Sequence, residues 1–254
     1  TSYKIDSLNG EVDCPGDKSV SQRIVIIGSL LNCDMHVNGF LNAQDPISTV
    51  NALNSIGASI SINGSEVILK KRETMFKDPQ KELNLGNSGT GARLLLGLIS
   101  GLGLRSKMIG DSSLLKRPMK RVIEPLRMMG AKLNSRDGML PIRTLGSEII
   151  NNFEYEMSIA SAQVKSCLLL AALSAQKNIK ITEPKITRDH TERMIEFFGG
   201  SIVYGNNQNT KLIELNYSKL KPKDIFNVPG DFSSAAFVIV ATIISQNSEV
   251  LIKN

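Results

Sequence analysis

The sequence predicts a mixed α/β fold in which three copies of one unit, related by a pseudo-threefold repeat, surround buried helices, with a fourth copy cut short. Two observations carry this. A polar start followed by an apolar run recurs at Ser19-Val-Ser-Gln-Arg23, Gly89-Thr-Gly-Ala-Arg93, Ser161-Ala-Gln-Val-Lys165 and Ser233-Ser-Ala-Ala-Phe237, spaced about 70 residues apart. After each of the first three come, in the same order, an amphipathic helical pattern, a glycine stop and a hairpin signal.

The first unit opens at Pro15 to Arg23, where Gly16 permits close backbone approach and Ser19 suits a helix N-cap. Lys18 and Arg23 then stand at a helix N-terminus. A cation there is unfavourable by about 0.3–1 kcal/mol unless an anion sits beside it, so the segment reads as half of a phosphate or carboxylate site. A capped helix with two solvated bases would carry the same letters. The apolar helices, such as Leu94 to Ile99 and Cys167 to Leu173, are hydrophobic nearly all round and must be enclosed. Because all begin with the same polar signature, their N-termini are expected to gather at one end.

The amphipathic helices show Ile47, Val50, Leu53 and Ile56, then Met119, Val122, Leu126 and Met129, then Met194, Ile195 and Phe198 on one face. They stop at Gly57, Gly130 and Gly199, as left-handed caps require. The hairpins are expected to turn at Gly64, at Asp137-Gly138 and around Gly205-Asn206-Asn207. Pro222 to Pro229 reads as a crossover into the fourth copy, whose Val228-Pro-Gly-Asp echoes Cys14-Pro-Gly-Asp. A helix to about Ile244 and a strand over Glu249 to Lys253 follow. That helix lacks its amphipathic partner, so a longer protein is expected.

With 254 residues, 41% apolar and 21% charged, the chain has a globular composition. No apolar run approaches the roughly 20 residues of a membrane span, and the start lacks a signal-peptide core, so the cytoplasm is the expected compartment. Cys14, Cys33 and Cys167 are odd in number and far apart, with only His36 and His190 beside them, so reduced thiols and no metal are expected. The net charge of +6 suits an anionic partner. Aromatics at 5% and the lack of long like-charge blocks give nucleic acid little support.

Basic residues crowd the helix starts: Lys18, Arg23, Arg93, Lys116, Arg117, Lys120, Arg121, Lys165 and Arg188. Arg117, just before Pro118, is expected to project from the opening of its helix and grip a planar anion bidentately. Gly86-Asn-Ser-Gly-Thr-Gly91 suits backbone N–H presentation to an anion, yet matches neither the P-loop nor the dinucleotide fingerprint. Ser161, Gln163 and Lys165 offer a hydroxyl, an amide and an ammonium for a polyhydroxylated ring. Asp189 is placed as a helix cap, and His190 reads as a solvated first-turn histidine rather than a general base. No Ser/His/Asp triad is legible.

Together, PGDKSVSQR from Pro15, LGNSGTGARLLLG from Leu85, GDSSLLKRPMKRVIEPLRMMGA from Gly110, SAQVK from Ser161, TRDHTERM from Thr187 and VPGDFSSAAF from Val228 resemble the enolpyruvyl transferase family. The resemblance is to the class II branch that uses shikimate 3-phosphate, the 5-enolpyruvylshikimate-3-phosphate synthases, and spans nearly the whole chain. The sister branch acting on UDP-N-acetylglucosamine is less similar, since it lacks the PGDKS start and carries a loop cysteine. The resemblance implies two domains of three βαβαββ units each. Residues 14–228 would form the first, and residues 1–13 and 229–254 would be pieces of an incomplete second.

It further implies that Lys18, Ser19 and Arg23 hold shikimate 3-phosphate. Ser161, Ala162 through its backbone, Gln163 and Thr187 or Arg188 would complete that pocket. Asn87, Gly89 and Arg117 would contact phosphoenolpyruvate, with Lys18 reaching both ligands as the catalytic residue of this chain. No cofactor is implied. The family's catalytic carboxylates would lie beyond Asn254, so the chain alone is expected to be inactive. Gly89 stands where some herbicide-tolerant members carry alanine, which implies a glyphosate-sensitive full-length enzyme. A non-catalytic module binding anions or nucleic acid is the competing reading.

Overall fold

The structure, a computed structural model, describes residues 6–207 and 210–254. The chain opens with strand β1 (Asn9–Asp13), then runs through α1 (Lys18–Leu31), β2 (Met35–Asn38), α2 (Gln44–Ser55), β3 (Ser59–Asn63) and β4 (Glu66–Lys70). The second unit is β5 (Leu83–Asn84), α3 (Gly89–Gly101), β6 (Arg105–Ile109), α4 (Lys120–Met128), β7 (Ala131–Ser135) and β8 (Ile142–Ser147). The third is β9 (Phe153–Glu156), α5 (Ala162–Ala175), β10 (Ile179–Glu183), α6 (His190–Phe197), β11 (Ser201–Asn207) and β12 (Thr210–Asn216). It closes with β13 (Ile225–Asn227), α7 (Phe232–Ile244) and β14 (Glu249–Lys253).

The repeat is visible in the sheets. Two have the order β5-β6-β8-β7 and β9-β10-β12-β11, each with its first pair parallel and the others antiparallel. The first unit obeys the same rule only because β13 supplies its missing strand, giving β13-β2-β4-β3 with Ile225 beside His36 in parallel register. The segment read as a bare crossover therefore contains a strand. Three residues carry too little periodicity to announce it, and their partner lies far away in sequence. β1 belongs elsewhere, pairing in parallel with β14.

The enclosed helices are α1, α3 and α5, with Ile24 to Ile27, Leu94 to Leu96 and Cys167 to Ala172 fully buried. Each large apolar side chain so buried contributes about 1.5–3 kcal/mol. α3 and α5 approach closely because α3 presents glycine: a Cβ on Gly97 would lie 2.1 Å from the Cys167 carbonyl oxygen. The amphipathic helices end at Gly57, Gly130 and Gly199, all with φ in the left-handed region. Asp137 and Gly138 turn the second hairpin with φ of 54° and 69°, the signs that a tight hairpin turn demands. In the third hairpin Gly205 to Asn207 continue β11, and the connection falls at 208–209, outside the described residues. Among the described residues no helix is long and apolar enough to cross a membrane.

The two Pro-Gly-Asp segments meet. Gly16 bridges Gly230, Asp17 N donates to Pro229 O at 2.8 Å, and Asp231 N donates to Pro15 O at 2.8 Å. A Cβ on Gly16 would fall 1.8 Å from the Gly39 carbonyl oxygen, so only glycine fits this crossing.

Candidate anion-binding site

Asp17 caps α1, not Ser19. Its carboxylate accepts from Val20 N at 2.8 Å, and the helix already begins at Lys18, leaving Ser19 inside the first turn. Ser88 caps α3 by accepting from Gly91 N at 3.0 Å, and Ser161 caps α5 by accepting from Val164 N. These three openings converge. Gln22 of α1 donates to Ser88 Oγ at 2.6 Å and to Thr49 Oγ1 at 3.0 Å. Gln163 of α5 donates to Thr90 Oγ1 of α3 at 3.0 Å. Arg23 of α1 donates to Ser166 Oγ of α5 at 3.0 Å and Thr191 Oγ1 of α6 at 2.8 Å.

Around this end stand arginines that no carboxylate neutralises. Among the described residues Arg23, Arg93, Arg117 and Arg121 make no ion pair. They rest instead on neutral oxygens. Arg93 and Arg121 both donate to Gln163 Oε1 at 2.9 Å, and Arg93 also reaches Pro118 O at 3.2 Å. Burial, then the Arg121 and Arg117 charges, lower the pKa of Arg93 from the ordinary arginine range to about 10. Burial also brings Arg23 down to about 10, against the pull of Glu192 and Asp17. Cations without a direct ion pair beside three helix N-termini form a potential well for an anion.

Arg117 does not project from the opening of α4. Pro118 lies before that helix, and Arg117 follows a 3-10 turn over Leu114–Lys116. Its guanidinium hydrogen-bonds Asn87 Oδ1, while Asn87 Nδ2 donates to Asp111 Oδ2 at 2.8 Å. Asp111 also accepts from Ser113 N and Leu114 N, and those backbone donors, Leu114 first, then Asn87, hold its pKa below the usual carboxylate range. Asn87, Gly89 and Arg117 thus meet: a Cβ on Gly89 would lie 3.0 Å from Arg117 Nη1 and 3.2 Å from Arg93 Nη1.

Lys18 is exposed and pairs loosely with Asp45 at 3.4 Å. Such a surface pair is worth about 0–1 kcal/mol, so the ammonium is readily surrendered to a ligand. Arg188 is exposed, while the Thr187 hydroxyl donates inward to Glu183 Oε2 at 2.7 Å. Lys165 is not at the opening of α5 for a ligand. It is fully buried, 3.1 Å from Glu183 and 2.7 Å from Glu192. Asp189 makes no capping bond; its carboxylate takes Arg193 Nε at 2.8 Å instead. His190 is half-buried rather than solvated, with Nδ1 enclosed and without a partner among the described residues. Arg93 and Arg121 were legible as bases at helix starts. Their shared hold on Gln163 was not, because it joins residues from different repeats.

A threefold α/β frame here gathers bases and helix N-termini at one end, an arrangement suited to negative charge. The chain belongs to the EPSP synthase (3-phosphoshikimate 1-carboxyvinyltransferase) family, whose model matches residues 2–254. It is 46% identical over 253 residues to a 3-phosphoshikimate 1-carboxyvinyltransferase of Petrotoga mobilis, and 42% identical over 254 residues to one of Bacillus velezensis. These alignments cover 98% and 99% of this chain and 58% of each relative. The solved EPSP synthase of Acinetobacter baumannii superposes with a TM-score of 0.82 at 38% identity, over 96% of this chain and 55% of that one. The chain therefore spans little more than half the length of the relatives it matches.

Proposed function

We propose that this chain is the shikimate 3-phosphate-binding part of a cytoplasmic enzyme that transfers the enolpyruvyl group of phosphoenolpyruvate to the 5-hydroxyl of shikimate 3-phosphate. The convergence of three helix openings with arginines that make no ion pair supports this reading above all. Lys18, Ser19, Ser161, the Ala162 backbone, Gln163 and Arg188 face shikimate 3-phosphate, with Arg23 and Thr187 bracing the pocket wall. Asn87, Gly89 and Arg117 receive phosphoenolpyruvate, with Lys18 between the two. In the reaction the 5-hydroxyl gives up its proton and its oxygen bonds C2 of phosphoenolpyruvate while C3 gains a proton; the adduct then loses a C3 proton and expels phosphate, which restores the C2–C3 double bond. The protons need a separate acid and base. Two trianions need opposing positive charge, which the arginines and helix dipoles supply.

Residues 14–228 act as one domain on this reading. Residues 1–13 and 229–254 belong to a second, whose remainder meets the apolar side of α7 and brings the carboxylates. The partners are small anionic metabolites, not nucleic acid. Titration of the chain with shikimate 3-phosphate should give saturable binding, and a coupled phosphate assay with both substrates should give no turnover. A flat titration at millimolar ligand, or tight and steeply salt-dependent binding to generic DNA, would overturn it.

A further inference from the structure

Arg23, Arg93 and Lys165 occupy the same position in the three repeats, yet only Lys165 is matched by carboxylates. Its ammonium, fully buried, lies between Glu183 at the end of β10 and Glu192 in the first turn of α6, both fully buried as well. Those carboxylates bracket one segment. Glu183 Oε2 accepts the Thr187 hydroxyl at 2.7 Å and its Oε1 accepts Thr187 N at 3.3 Å. Glu192 is held by the Lys165 ammonium, 2.7 Å from its Oε1. Next to Glu192, Thr191 takes Arg23 Nε at 2.8 Å and donates to Ser166 Oγ at 2.7 Å.

We propose that Lys165 is a positioning residue: by clamping Glu183 and Glu192 it sets residues 184–189, and with them Arg188, at the mouth of the anion site. The reading of that mouth as a shikimate 3-phosphate pocket rests on the function proposed above. A buried ion triad is a poor source of net stability, since apolar residues of similar volume often serve the fold as well. What it supplies is geometry. A single cation with two fixed counter-ions holds both ends of a segment that is otherwise exposed at Lys185, Ile186 and Arg188.

Two readouts on the 254-residue chain test this, one without ligand. In Lys165→Met, amide hydrogen exchange at Thr187 and Arg188 should quicken by about tenfold or more, while amides in the middle of α3 stay as in wild type. Shikimate 3-phosphate should bind about tenfold more weakly, and Lys165→Met/Arg188→Ala should bind no more weakly than Arg188→Ala, because the lysine acts through that arginine. Unchanged exchange across 184–189 in the folded variant, or losses that add fully in the double variant, would overturn the proposal. Should Lys165→Met fail to fold, Glu192→Gln keeps the shape of the triad while loosening the same clamp, and the same two readouts decide. If wild type does not bind shikimate 3-phosphate, the functional reading falls and the exchange measurement alone judges the clamp.

Discussion

Arg23 and Lys165 hold equivalent places in their repeats but differ in their direct partners, neutral oxygens for the one and two carboxylates for the other, which sets what each can do. Arg23 directs its donors to Ser19 O, Ser166 and Thr191, so its positive charge is oriented by neutral oxygens and not by an ion pair. Gly89 belongs to the same economy of space. A methyl there would crowd the ends of two arginine side chains, which can give way without disturbing the backbone. Gly89→Ala should therefore leave the melting temperature nearly unchanged. In the full-length enzyme, on the proposed assignment, it should weaken glyphosate on the order of tenfold by displacing Arg117. An unchanged inhibition curve would refute this. His190 offers a pH test. Burial, then Arg23 and Arg188, lower its pKa below 6.5, against Asp17 and Asp189. Stability from the neutral imidazole is complete above pH 6.5 and is lost as pH falls from there toward the folded value. Burial raises Glu192 above 4.5, so its contribution has the opposite sign and declines as pH rises from 4.5. The difference between wild type and His190→Gln isolates the histidine: urea midpoints below pH 6.5 should fall less steeply in the variant, and parallel curves would exclude the effect.

At the scale of elements, the α3–α5 contact depends on small residues that hydrophobic periodicity does not mark. Gly97 faces Cys167 O, and a Cβ on Gly101 would lie 2.2 Å from Ala171 O, so neither position admits a methyl without moving a helix. Gly97→Ala should cost about 1–3 kcal/mol by overpacking, read as a lower urea midpoint with unchanged slope. A neutral or stabilising result would mean the helices are free to separate. Asp17 closes α1 by a side-chain bond to Val20 N, and Asp17→Ala should lose about 0.5–2 kcal/mol in the same assay. The glycine stops and two of the turns were legible because each is a local event, settled within a few residues of chain; the N-caps read at Ser19 and Asp189 were not borne out. The start of α1 was misplaced by one such event: Asp17, two residues before Ser19, reaches the backbone donor first.

The whole molecule shows an unequal surface. Phe237 is 82% exposed, Ile244 77% and Ile243 76%, on a helix whose only buried residue is Ala235. An apolar side of this kind drives association in water. The chain should self-associate with rising concentration in sedimentation velocity, and Phe237→Lys with Ile244→Lys should return it toward monomer; a wild-type chain that stays monomeric would contradict this. The amino-acid sequence by itself determined the repeat, the enclosed helices, the glycine stops and the bases at the helix openings, because periodicity and propensity act between near neighbours. Tertiary structure alone decided that β13 completes the first unit, that Lys165 turns inward to two carboxylates, and that Gln163 joins arginines of another repeat. Those outcomes depend on burial and on partners tens of residues away, and a charged side chain has no fixed electrostatic role until folding decides which oxygens surround it.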